Sequence, residues 1–195
     1  MEASSVLHNL DSSARQIFFG NLLLVVCCAF YLAWWLLAFR PVNPVRGFRT
    51  GWLLLPAFAA GLAAVILAVR GLRAAPGPGL FPPGLLLWGG ILAYVLLMAL
   101  TRFLLNRPVT TELFLIVGWA ALALSEADAL CGAGTFGRGE AAAFAVISAA
   151  GAVVSLICYV RYYHLSAAAG YLDGMVPLLM AALVMAAFDA ALLRR

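Results

Sequence analysis

The chain has 195 residues, 66% of them hydrophobic and 10% charged, with a formal net charge of +4 and a mean hydropathy of +1.05. Soluble domains hold roughly 45–50% apolar residues, so this composition describes a membrane protein. All 12 basic residues are arginine, which excludes Schiff-base chemistry on a lysine amine, and a charge this small and scattered argues against nucleic acid as a partner.

Residues 1–16 are polar, with Glu2, Asp11 and Arg15, and Ser12 or Ser13 is placed to cap a helix. From Ile17 to Phe39 the chain is free of charge for about 23 residues, long enough to span a bilayer. That stretch ends in aromatic residues and Arg40 rather than in a small-residue cleavage site, so it reads as a retained helix. Pro41, Pro44 and Gly47 then break the chain. A second span covers 51–70, with Arg70 and Arg73 at its exit. Residues 75–83, rich in proline and glycine, cannot continue a helix. A third span covers 84–105 and a fourth 111–131. The glycine-rich stretch 132–139 suits a turn or a mobile cover. A fifth span covers 140–163 and a sixth 174–193, with Pro177 in its first turn. The prediction is an all-α, polytopic bundle of six transmembrane helices with short loops, one membrane domain over 1–195.

Six spans put both termini on one side. Arginines flank the two faces equally, so the positive-inside rule assigns no orientation. Aromatic residues, among them Trp34, Trp35, Trp52, Tyr159, Tyr162 and Tyr171, gather near the odd-loop face, as an interfacial belt or a lined pocket requires. Cys27, Cys28, Cys131 and Cys158 form no Cys-x-x-Cys pair and read as small apolar residues. His8 and His164 are too few for a multi-histidine metal centre or a haem, and no metal site or particular cofactor is indicated.

The fourth span is the informative one. Leu113 to Ser125 is only about 13 uncharged residues, roughly 20 Å of helix against a hydrocarbon core of roughly 30 Å. A helix crossing here must carry Glu112, Glu126 or Asp128 below the interface, where a charge requires the protein interior, water or a partner. Glu126 and Asp128 lie about 200° apart around a helix and cannot face the same cavity unless the helix unwinds there. One of them is expected at a site and the other in a surface pair. Asp189 shares its face with Ala182, Ala186 and Ala190, which points it into the bundle. With Glu140, these acids collect on the terminal face, where Arg70, Arg73, Arg138, Arg194 and Arg195 are available to neutralise them.

A second constellation falls on the opposite face: Arg102, Asn106, Arg107 and Glu112 around the third loop, and Arg161, His164 and Asp173 around the fifth. Glu112 there complements the positive end of a helix dipole, while the arginines suit an anionic headgroup or solute. Phosphate-binding loops, His-Glu-x-x-His zinc sites and serine nucleophile elbows are absent from the sequence.

The leading expectation is a bundle that binds or transports a small solute or ion through buried carboxylates. The alternatives are a membrane-embedded enzyme acting on a lipid or prenyl substrate, and a non-catalytic assembly subunit. Besides the lipid bilayer, a second copy or a partner membrane subunit is expected, in a bacterial-type inner (plasma) membrane.

Overall fold

A computed structural model of the chain describes residues 10–42, 44, 48–82, 84–106 and 110–195, without the side chains of 48 and 49. Helix α1 (Ser12–Ala38) is followed by the single turn α2 (Phe48–Gly51), then α3 (Leu54–Ala74) and α4 (Leu85–Ala99), which closes in a π-helical turn over Leu100–Leu104. Next come α5 (Thr111–Gly132), α6 (Arg138–Tyr162), the short α7 (Ala167–Asp173) and α8 (Val176–Leu192). Six stretches are long and apolar enough to cross a membrane: α1, α3, α4 with its π turn, α5, α6, and α7 with α8. The described residues contain no strand, and the chain is an all-α six-helix bundle.

Local chemistry sets the helix ends. Helix α1 starts five residues before the charge-free run at Ile17, because Asp11 takes the N-cap position and receives the Ser13 hydroxyl at 2.7 Å. That hydrogen bond holds the Asp11 carboxyl below its ordinary range. Helix α3 runs through Arg70 and Arg73 to Ala74, since both arginines are exposed and their long stems reach outward. Asn106, with a φ of 51°, stops the third span in the left-handed region that asparagine tolerates. The sixth span begins at Ala167, earlier than its apolar pattern suggests, and is interrupted at Gly174, where the Trp35 ring leaves no room for a Cβ.

Helix α1 packs along α3 on one side and α8 on the other; α6 packs on α5 and α8, and α4 lies chiefly against α5. Small residues let α1 and α3 meet closely, with Gly20 against the backbone of Ala64 and Ala68, and Gly71 against Ile17 and Ser13. The core gathers Ile17 and Phe18 of α1, Ala123, Ala127 and Leu130 of α5, and Val184, Met185, Phe188 and Leu192 of α8. Phe136, from the glycine-rich stretch, is buried there and stacks on Phe144 and Phe188, with ring centroids 5.2 and 6.1 Å away. Its N–H also donates to the Leu130 carbonyl at 3.0 Å. The stretch 132–139 is therefore anchored in the core, unlike the mobile cover its glycines suggest.

The outer surface is apolar. Phe58, Trp88, Leu96, Phe103, Val146 and Leu183 are all exposed, and α4 buries none of its residues fully. In water such a surface would associate; in a bilayer it is the surface that hydrocarbon solvates.

Candidate functional site

Three polar side chains from three helices converge in the core near the terminal face. Asn21 lies in α1, Glu126 in α5 and Asp189 in α8, and the Asn21 amide stands beside both carboxyls. Asn21 and Glu126 are completely buried and Asp189 is 8% exposed. The same three helices contribute Ile17, Phe18, Ala123, Ala127 and Phe188 to the hydrophobic core, and none of these side chains offers a hydrogen bond.

Although the Asn21 amide faces both carboxyls, Asn21 Nδ2 and Oδ1, Glu126 Oε1 and Oε2, and Asp189 Oδ1 have no partner in hydrogen-bond geometry among the described residues. Each buried polar atom left so costs about 1–3 kcal/mol. A buried core that retains several of them has a reason other than packing. Chemically, the set is two carboxyls and an amide, hard oxygen donors that suit a small cation or a proton shared between acids.

The arginines of the terminal face stay away from this cluster. Arg70, Arg73, Arg138 and Arg194 are exposed, and Arg195 forms an ion pair with Glu140 at the surface while its guanidinium lies 5.8 Å from the centre of the Phe136 ring. Asp128 points outward from α5, where its Oδ1 accepts the Phe81 N–H at 2.8 Å. Gly77, at a φ of +88°, and Gly79 bring the 75–83 loop so close that a Cβ at either would collide with Gly132 or Asp128. The acids of the terminal face thus divide three ways: Glu126 with Asp189 inside, Asp128 on a loop, and Glu140 in a surface pair.

On the opposite face, Glu112, Asp173 and Arg161 all come within electrostatic reach of Cys158. Arg102 is exposed on the π turn, Arg161 and His164 are exposed at the end of α6, and Arg107 lies outside the described residues. Glu112 occupies the first turn of α5, as a partner of the helix dipole should. It also lines a cavity of about 540 Å³ between α1, α3, α5 and the start of α8, together with Tyr31, Trp35, Phe58 and Trp119. Glu126, Asp189 and Asn21 do not line that cavity. Its α1 wall is braced by Trp35, whose indole N–H donates to the Tyr171 carbonyl at 3.1 Å, while the Tyr171 hydroxyl donates to the Leu36 carbonyl at 3.1 Å.

Ser148 and Ser155 on α6 donate to the carbonyls of Phe144 and Gly151, each at 2.8 Å, so neither hydroxyl is poised as a nucleophile. Sequence reasoning missed Asn21. Its signal is an amide in an otherwise apolar run, which in a membrane helix marks a polar contact with another helix.

Compared with known proteins, the chain matches no family model, no curated protein and no solved structure. Its class follows from its own physical properties: six apolar helices and a lipid-compatible surface make it an integral, multi-pass membrane protein.

Proposed function

We propose that the protein binds or transports a small ion or solute through its bundle, with Asn21, Glu126 and Asp189 as the polar centre. The observation that carries this reading is the convergence of these side chains from α1, α5 and α8, buried and lacking hydrogen-bond partners among the described residues. A small cation, or a proton exchanged between the two acids, supplies the missing interactions. The described candidates on the opposite face, Arg102, Glu112, Arg161 and His164, belong to a separate region, and Asp128 acts as a loop anchor.

Six spans are few for a complete transporter, so the reading includes a second copy of the chain or a partner membrane subunit. The exposed apolar length of α4 is available for that contact. The reading also assigns the chain to a bacterial-type inner membrane, which carries helical bundles where outer membranes carry barrels.

Purified protein in proteoliposomes, loaded with a pH-sensitive dye and assayed for radioactive sodium uptake, tests the proposal. Glu126→Gln and Asp189→Asn are each expected to lower flux about tenfold or more, the loss of a charged contact worth about 1.5–3 kcal/mol. Proton and sodium flux unchanged in both variants would end the assignment.

A further inference from the structure

The cavity beside Glu112 has a character of its own. Its volume of about 540 Å³ falls within the roughly 300–1,000 Å³ of small-molecule pockets. Its walls are almost wholly apolar, supplied by Leu24, Leu62, Val65, Ile116, Leu178 and Ala181. Phe58, Leu62, Val65 and Leu115 are both lining residues and exposed on the outer surface, so the cavity opens toward the lipid.

Among the described residues one acid interrupts this lining, and no arginine or histidine does. The Glu112 carboxylate makes no hydrogen bond or ion pair among the described residues. Asp173 adds a second negative group within electrostatic reach of it, the phenols of Tyr31 and Tyr162 are near neighbours, and Arg161, whose charge also reaches Cys158 beside them, does not line the cavity. The rings of Tyr31 and Trp35 line the same end of the cavity, and Trp35 meets Tyr162 edge-on with centroids 6.3 Å apart. Negative charge set among aromatic rings in an apolar chamber is the chemistry that recognises a weakly hydrated cation. An anion would meet two carboxylates, and a neutral lipid would leave Glu112 unmatched.

We propose that the cavity between α1, α3, α5 and α8 binds a hydrophobic organic cation, its apolar body among the side chains of α1, α3 and α8 and its charge against Glu112. The ligand enters from the bilayer, past α3. This site stands apart from the Asn21, Glu126 and Asp189 cluster and does not depend on its role.

Tetraphenylphosphonium and tetraphenylborate, matched in shape and opposite in charge, are the probes. Equilibrium dialysis against the full-length protein in phosphatidylcholine nanodiscs measures saturable binding of each. Tetraphenylphosphonium is expected to bind saturably and tetraphenylborate not to. Glu112→Gln is expected to weaken the cation about tenfold or more, and Asp173→Asn to weaken it less. Glu126→Gln is expected to leave it unchanged, which separates this site from the buried cluster. The proposal is overturned if the borate binds as well as the phosphonium, if both the Glu112 and Asp173 variants bind the cation like the parent, or if Glu126→Gln loses as much as Glu112→Gln. Should Glu112→Gln fail to fold, as a melting curve would show, discrimination between the two probes by the parent protein decides.

Discussion

Asp128 on α5 accepts the backbone N–H of Phe81 at 2.8 Å, tying the loop between α3 and α4 to the far end of the bundle. Two residues earlier, Glu126 points into the core, so adjacent acids on one helix have unrelated tasks. Asp128→Ala removes the acceptor and is expected to destabilise the protein by about 1–3 kcal/mol. Asp128→Asn keeps an oxygen there and should lose less. Unfolding curves in detergent, with proteolysis of residues 75–83 as a local readout, compare the two; equal losses would contradict the anchor.

The approach of α1 and α3 rests on glycine. A Cβ at Gly71 would lie 2.7 Å from Ile17 Cγ1 and 2.9 Å from the Ser13 carbonyl oxygen, whereas one at Gly89 meets nothing within 4 Å. Gly71→Ala should cost about 1–3 kcal/mol through forced separation of the helices. Gly89→Ala, on exposed α4, should gain about 0.5–1 kcal/mol from helix propensity. Melting temperatures moving in the same direction would show that packing does not separate these sites.

Trp35 holds α7 through its indole N–H to the Tyr171 carbonyl, and its ring fills the space at Gly174, just ahead of α8. Trp35→Phe is expected to lose about 0.5–1.5 kcal/mol for the hydrogen bond alone. Hydrogen exchange should quicken locally over residues 167–176. Uniform exchange across α1 and α8 would instead indicate global loosening.

Asn21 is a fully buried amide with neither of its polar atoms hydrogen-bonded among the described residues. Asn21→Val replaces the amide with an apolar side chain of only modestly larger volume and removes that penalty, so the cation-free protein should gain about 1 kcal/mol. The same substitution should abolish any rise of melting temperature with added sodium or with a change of pH. A variant that is destabilised yet still shows the ion-linked shift would refute the proposed role.

Asp11 supplies a pH test outside the membrane. The Ser13 hydroxyl keeps its carboxyl below the ordinary range, so folding favours the ionised form. That contribution is present above the unfolded-state pKa of 3.8 and is lost as pH falls through the lower folded value. Ser13→Ala should move the Asp11 titration up toward 3.8, as read by NMR of a labelled carboxyl; an unmoved titration would assign the shift to another donor.

The apolar runs, the break at 75–83 and the opposed directions of Glu126 and Asp128 were legible in the sequence because each depends on neighbours along the chain. Span length and the 100° turn per residue are local quantities, and they require no partner helix. Asn21 was not legible as a site residue, because its meaning lies in Glu126 and Asp189, more than a hundred residues away in the chain. Glu112 read as a dipole partner and is one; its place in a cavity appears only when α1, α3 and α8 stand around α5. The sequence by itself determined a six-helix membrane protein carrying acids inside a span, since hydrophobic length decides what crosses a bilayer. The tertiary structure alone decided which acid meets which partner, since that depends on helix rotation and contact between distant segments.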